Sequence, residues 1–282
     1  MTEVSGPLMA KRERLVQLLR SYGTCAVAFS GGVDSAVVAK AAQVALGHNA
    51  LLVTGDSAAM ADGELDGARE LASLLGMRHV IVPTAEFSNP QYVANNADRC
   101  YHCKSELYAR ISNLAELLGV DVIVNGANQD DLGDYRPGMQ AARENNVRSP
   151  LAECALTKME VRELAASWNL PVAEKPATPC LSSRIAYGES VTPERLAKID
   201  RAERFLRSLG FRELRVRYHR GDVARIEVPI DQIATLVEPE TRQAIVSEFE
   251  AAGFKFVTLD MAGFKSGGFT KLIPSEMLQW FS

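Results

Sequence analysis

Apolar residues along this chain fall into two alternating patterns. Short unbroken runs, among them Cys25-Ala26-Val27-Ala28, Leu51-Leu52-Val53, Val80-Ile81-Val82 and Val122-Ile123-Val124, are separated by longer stretches with apolar positions at helical spacing. Runs of that length read as buried strands, and the intervening stretches as amphipathic helices. The spacing predicts a helix over 11–22, a strand over 24–29, a helix over 34–46 and a strand over 50–54. It continues with a helix over 63–75, a strand over 78–82, a helix over 103–118 and a strand over 121–125. A helix over 158–168 opens on Thr157 with Glu160 three residues on, the spacing of a capping box. Pro171, Pro176 and Pro179 then break regular structure, and a domain boundary is expected near residue 187. Beyond it the pattern predicts a helix over 193–209, strands over 213–219 and 222–228 joined around Arg220-Gly221, a helix over 241–252 and a strand over 256–259. The glycines and exposed apolar residues of 263–282 predict a mobile end.

Strands alternating with helices imply an α/β domain with a parallel sheet covered on both faces, over residues 1–186. Residues 187–282 form a small α+β domain, expected to bind substrate or join subunits. In parallel sheets ligands bind beyond the carboxyl ends of the strands. The first strand runs there into Phe29-Ser30-Gly31-Gly32-Val33-Asp34-Ser35, followed by an Ala/Val-rich helix. Two glycines permit a tight turn, and serine hydroxyls with free N–H groups at a helix start make an anion site. No Gly-Lys-Ser/Thr follows, so this is not a Walker loop and no neighbouring lysine reaches the phosphates. It resembles the PP-loop of ATP pyrophosphatases, the alternative being a plain glycine turn. Thr54-Gly55-Asp56-Ser57 and Asn125-Gly126-Ala127-Asn128-Gln129-Asp130-Asp131 lie at other strand ends and are expected to converge on it.

Bulk properties narrow the class. The 282 residues are 47% apolar with a net charge of −4, ordinary for a globular protein and without a basic nucleic-acid footprint. No apolar run approaches a bilayer span. Met1 to Gly6 lacks an export signal, so a cytoplasmic protein is expected. Five cysteines in such a chain argue against a disulfide framework.

Cys100-Tyr101-His102-Cys103 is a C-x-x-C pair at a helix start, where thiolates are stabilised. Cys180 lies in Pro179-Cys180-Leu181-Ser182-Ser183-Arg184. Three thiolates can hold an iron–sulfur cluster and leave one iron open. A zinc site completed by His102 or Cys154, or a redox pair, stays open as an alternative. Cys25 and Cys154, in apolar surroundings, read as core residues. In Leu214-Arg215-Val216-Arg217-Tyr218-His219 the cations alternate with apolar residues. Arg215, Arg217 and His219 therefore share one face, suited either to gripping a phosphate or to facing water.

Five segments together resemble the LarE family of ATP-dependent sulfur transferases, which act in building a nickel-pincer nucleotide cofactor. They are 28–35, 99–104, 125–131, 175–184 and 214–217, and the likeness runs from residue 8 to about 270. The resemblance implies that ATP adenylates the carboxylates of pyridinium-3,5-biscarboxylic acid mononucleotide, and that sulfur then displaces AMP to give thiocarboxylates. It implies ATP and Mg²⁺ at Ser30, Gly31, Gly32, Asp34 and Ser35, with Gly55 and Gly126 admitting the adenosine. Lys104 would stabilise the acyl-adenylate or leaving AMP, and Asp131 would contact metal or substrate. Arg215 and Arg217 would clamp the substrate's phosphate, with Ser183 and Arg184 flanking the sulfur site. Cys180 matches a position that some members sacrifice as sulfur donor. With Cys100 and Cys103 it instead implies a 4Fe-4S cluster whose open iron carries sulfide from a separate source. Partners are then a small nucleotide substrate and further copies of the chain in a trimer or hexamer, with neither nucleic acid nor membrane. A tRNA thiolase, an amide-forming ATP pyrophosphatase and a non-catalytic nucleotide-binding or cluster-carrier protein are the competing readings.

Overall fold

A computed structural model describes residues 6–132, 137–176 and 178–265. Along the chain the elements are α1 (Gly6–Arg20), β1 (Cys25–Ala28), α2 (Val33–Leu46), β2 (Ala50–Asp56), α3 (Glu64–Leu74) and β3 (Arg78–Pro83). They continue with α4 (Pro90–Val93), α5 (Arg99–Leu118), β4 (Val122–Val124), α6 (Pro137–Glu144), α7 (Pro150–Glu153) and α8 (Lys158–Ser167). The remainder is α9 (Pro193–Ser208), β5 (Arg215–His219), β6 (Val223–Glu227), α10 (Ile233–Leu236), α11 (Pro239–Ala251) and β7 (Phe256–Leu259).

Two compact units result. The first comprises Met1–Ser57, Gly63–Ala85 and Cys100–Thr178; the second comprises Ala58–Asp62, Glu86–Arg99 and Pro179–Ser282. The expectation of a single cut near 187 thus differs from the contact pattern. Two short loops of the N-terminal half join the second unit, which sequence order alone cannot show.

In the first unit β1 to β4 form a parallel sheet in the order β3-β2-β1-β4. Alternate residues of a strand point to opposite faces, and the core divides accordingly. Cys25, Val27 and Leu52 join residues of α1, α2, α3 and α8 on one side. Ala26, Leu51 and Val53 join residues of α5 and α6 on the other. This is the α/β architecture expected from the pattern. The chain turns to opposite sides of β1 for β2 and for β4, so a crevice opens at the carboxyl ends of β1 and β4.

Helix α5 starts at Arg99, earlier than the expected Cys103. The apolar stripe explains it, since Tyr101 packs against the cluster containing Tyr108 and Ile111, which continues the helical period one turn back. Cys100 and Cys103 therefore lie inside the helix. Helix α6 was absent from the pattern; its buried Ala141 and Ala142 are too small to mark a face.

The second unit carries a three-stranded sheet, β5-β6-β7, with β5 antiparallel and β7 parallel to β6. Leu214, Val216, Tyr218, Ala224 and Ile226 are buried, as are Leu196, Ile199 and Leu206 of α9 and Ile245 and Phe249 of α11. Most of the expected mobile end, residues 266–282, lies outside the described residues.

Candidate active site

The PP-loop segment forms a closed turn at the end of β1. Gly31 adopts φ of 71°, in the region that favours glycine, and a Cβ there would sit 3.2 Å from the Ala68 Cα of α3. The Ser35 hydroxyl donates to the Gly32 carbonyl at 3.0 Å and accepts from the Ser30 amide at 3.3 Å. Gly32 is the N-cap of α2 and no side chain caps that end. The first turn of α2 thus presents its amides, with the Ser30 and Ser35 hydroxyls 3.2 Å apart, in the form that binds phosphate. Below the loop, the buried Thr54 hydroxyl donates to the Phe29 carbonyl at 2.6 Å.

The end of β4 is built against that helix start. A Cβ at Gly126 would approach the Ser35 nitrogen to 2.8 Å and the Asp34 carbonyl carbon to 3.0 Å. Close packing alone therefore requires glycine at 126. At Gly55 a Cβ would meet Leu107 at 2.9 Å. The Gln129–Asp131 turn carries a capping box, in which Asp131 accepts from the Asn128 amide at 2.9 Å. Asn128 also donates to Asp34 Oδ1 at 3.0 Å, and Lys158 pairs with Asp34 Oδ2. Asp130 accepts from the Lys158 amide at 2.8 Å. The expected convergence of the 125–131 segment on the PP-loop is present. Lys158 and Asn128 were missed, and one signal pointed to Lys158: a cation at the first position of a helix opposes the dipole.

The cysteines divide by exposure. Cys25 and Cys154 are buried, whereas Cys100 and Cys180 are exposed and Cys103 is intermediate. Burial pushes the Cys25 thiol up to about 12 and raises that of Cys154. Cys100 and Cys103 are three apart on α5 and so share a helix face. Lys104 is exposed beside them, its Cγ 3.2 Å from where a Cβ at Gly138 of α6 would stand. Cys180 belongs to the second unit. Among the described residues, no three or more His, Cys, Asp or Glu side chains are grouped to hold a metal ion. The donor chemistry of the three accessible thiols fits a thiolate-held cluster.

In the second unit the Cys180 segment is tightly held. The Leu181 amide donates to the Ala59 carbonyl at 2.8 Å, and Ser182, fully buried, shares a 2.8 Å hydrogen bond with the Tyr92 hydroxyl. Arg99 donates to the Ser182 carbonyl at 2.8 Å. Arg184 is fully buried; it donates to the Cys180 carbonyl at 3.1 Å and pairs with the equally buried Glu203 at 3.0 Å. It also reaches the Pro179 carbonyl and the Ser183 hydroxyl.

The arginine face of β5 is not a solvated one. Arg217 is only 6% exposed; it pairs with Glu227 at 2.9 Å and donates to the Ser183 carbonyl at 3.0 Å. Arg225 pairs with the same Glu227 and with Asp260. Arg215 is half-buried over the Phe264 ring. Burial, then the charge of Arg184, lowers its pKa to about 10, with Arg217 and Arg207 acting in the same direction. Arg217 and Arg225 thus share this face with the carboxylates of Glu227 and Asp260.

Among curated proteins, an uncharacterized protein of Synechocystis is 44% identical over 266 residues, 94% of this chain and 99% of that protein. The pyridinium-3,5-bisthiocarboxylic acid mononucleotide synthase of Lactiplantibacillus plantarum is 36% identical over 277 residues, 98% of this chain and 99% of that enzyme. A tRNA-specific 2-thiouridylase of Rickettsia rickettsii is 27% identical over 201 residues, 57% of this chain and 54% of that enzyme. No protein-family model matches. A parallel sheet with Ser-Gly-Gly-Val-Asp-Ser at its switch point, together with the likeness to such relatives, defines an ATP-using enzyme of the PP-loop type. Within that class the near-complete match to the Lactiplantibacillus synthase is decisive: the chain belongs to the LarE family of sulfurtransferases.

Proposed function

We propose that this enzyme converts the carboxylates of pyridinium-3,5-biscarboxylic acid mononucleotide to thiocarboxylates, as a step in nickel-pincer nucleotide synthesis. The near full-length likeness to the Lactiplantibacillus synthase carries the reading. A substrate carboxylate oxygen attacks the α-phosphorus of ATP, the bond to pyrophosphate breaks, and an acyl-adenylate forms. A sulfur nucleophile then attacks the acyl carbon and AMP leaves with its bonding pair. With hydrogen sulfide as the sulfur source, both of its protons are given up, to the phosphate of the departing AMP or to solvent, and no electrons are transferred.

Ser30, Gly31, Gly32 and Ser35 hold the phosphates at the start of α2. Asp34 or Asp131 would hold a Mg²⁺, a cation that needs only one or two protein carboxylates and would offset the charge of the phosphates. Gly55 and Gly126 flank the adenosine. Lys104, on the exposed side of α5, stabilises negative charge on the acyl-adenylate or AMP. Arg215 and Arg217 bind the substrate's phosphate, Arg217 already oriented by Glu227. Ser183 flanks the sulfur site, while buried Arg184 fixes the Cys180 backbone.

Cys100, Cys103 and Cys180 are the residues that would hold a 4Fe-4S cluster; such a cluster, when bound, supplies an open iron for sulfide. Their accessibility, against two buried thiols, supports this assignment. We place the enzyme in the cytoplasm as a homotrimer or hexamer with a separate sulfide donor. Substrate-dependent release of pyrophosphate from ATP tests the adenylation step. Release is expected with the dicarboxylate mononucleotide, and release driven by tRNA or ammonium instead would replace the assignment. Iron and sulfide analysis of anaerobically prepared protein tests the cluster; serine at any of the three positions should lower both contents.

A further inference from the structure

The turn that follows β7 returns an aromatic ring to the arginine strand. The Asp260 amide donates to the Ile226 carbonyl at 2.9 Å, and the chain then reverses. The Ala262 amide donates to Asp260 Oδ1 at 2.9 Å, and the Gly263 amide to the Asp260 carbonyl at 3.0 Å. Gly263 adopts φ of 68°, and a Cβ there would stand 2.8 Å from Ile230 Cγ1 and 3.1 Å from the Val228 oxygen. Glycine is required on both counts. The Phe264 amide donates to the Val228 carbonyl at 2.8 Å, which brings its half-buried ring under Arg215. The guanidinium carbon lies 5.2 Å from the ring centre. One turn thus treats two arginines of the sheet differently. Asp260 gives Arg225 a carboxylate at 2.7 Å, whereas Phe264 gives Arg215 a ring face. A carboxylate occupies the donor edge of a guanidinium. An aromatic ring is attracted to its face and takes up none of the in-plane N–H groups.

Arg215 is a side chain that needs holding. Burial lowers its pKa, and the charges of Arg184, Arg217 and Arg207 act in the same direction against that of Glu203. Like charges on several sides push a long side chain toward water. Phe264, together with the Leu214 carbonyl that accepts from Arg215 at 2.7 Å, keeps it at the sheet. From this geometry we propose that Phe264 is a positioning residue for the substrate's phosphate, holding the Arg215 guanidinium by its face so that the donor edge meets a phosphate monoester. The proposal rests on the assignment of Arg215 to that phosphate above, and adds what sets the arginine's orientation. Its consequence is specificity. Phe264 acts on ligands that carry the phosphate and is indifferent to the pyridinium ring and its carboxylates. ATP binding, a property of the PP-loop, does not depend on it.

Calorimetric titration of the anaerobically prepared full-length protein with pyridinium-3,5-biscarboxylic acid mononucleotide, and with the nucleoside that lacks its phosphate, tests this. Wild type should bind the mononucleotide more tightly. Phe264→Leu should weaken the mononucleotide about tenfold, the range of a partly desolvated cation–π contact, and leave the nucleoside within about twofold. Substrate-dependent pyrophosphate release should show the same loss in KM for the mononucleotide, with kcat and the KM for ATP within about twofold. Phe264→Tyr, which keeps the ring, should restore the preference. Combined with Arg215→Ala, Phe264→Leu should bind the mononucleotide no more weakly than Arg215→Ala alone. Unchanged mononucleotide affinity in Phe264→Leu overturns the proposal, and so does equal binding of the two ligands by wild type. Equal losses for both ligands, or losses that add in the double variant, overturn it in favour of a packing role. Wild-type protein that prefers the mononucleotide through Phe264 but releases no pyrophosphate with it would instead remove the sulfurtransferase reading and keep the proposal.

Discussion

Residue by residue, burial sorts side chains of one type into different tasks. Cys25 and Cys154 point into the core, and a thiol pushed up to about 12 has almost no thiolate at neutral pH. Since the thiolate is the nucleophile, iodoacetamide at mild alkaline pH should label Cys100, Cys103 and Cys180 quickly in the metal-free protein and spare the other two. Peptide mass spectrometry reads the outcome, and fast labelling of Cys25 would contradict the burial argument. The arginines of β5 divide likewise. Arg217→Ala takes from buried Glu227 one of its two arginine partners and leaves it to Arg225, a change that costs about 2 kcal/mol. Arg215 is half-buried over a ring, so Arg215→Ala should keep most of the stability while weakening a phosphate monoester about tenfold or more. Chemical denaturation alongside ligand titration separates the two variants; equal stability losses would show that Arg215 also serves the fold.

At the scale of elements, the strand–turn–helix around Ser30 to Ser35 was legible because its signals are local: an apolar run, two glycines and a helical period. The same holds for the capping box at Thr157. Other features depend on contacts between distant segments. Gly126 is required by the approach of β4's end to the Ser35 nitrogen, whereas sequence reading linked it to adenosine. Gly126→Ala should abolish ATP binding by displacing the start of α2, with a smaller effect on melting temperature; wild-type affinity would refute the close approach. Lys158 lies 124 residues from its partner Asp34, beyond the reach of any motif. The arginine strand showed its alternation in sequence but not the carboxylates that bury it.

The β5–β6 turn offers a test by pH. Asp222 adopts φ of 58° and is held to about 2 by hydrogen bonds from Lys198 and Tyr218. Its folded value lies below the unfolded one of about 3.9. The stabilisation is therefore complete above about pH 4 and is lost as pH falls toward 2. Asn tolerates the left-handed region, so Asp222→Asn keeps the turn and removes the titration. The difference in melting temperature between wild type and variant should shrink from pH 5 to pH 2, and a constant difference would contradict the assigned cause.

For the whole molecule, composition and period gave the α/β class, and the sheet bears it out. No sequence signal marks the loops 58–62 and 86–99 as members of the second unit, because their contacts are with residues far along the chain, as Tyr92 with Ser182, 90 positions on, and Ala59 with Leu181, further still, illustrate. Among the described residues, no helix is long and apolar enough to cross a membrane.

The central claim is that ATP-dependent adenylation at the PP-loop ends in sulfur transfer to a pyridinium dicarboxylate. Mass spectrometry of that mononucleotide, after incubation with the anaerobically prepared enzyme, ATP, Mg²⁺ and sulfide, tests it most directly. The account predicts exchange of one oxygen for sulfur at each carboxylate, with one AMP and one pyrophosphate formed per exchange. Consumption of ATP with the substrate mass unchanged, or with nitrogen rather than sulfur incorporated, would contradict it.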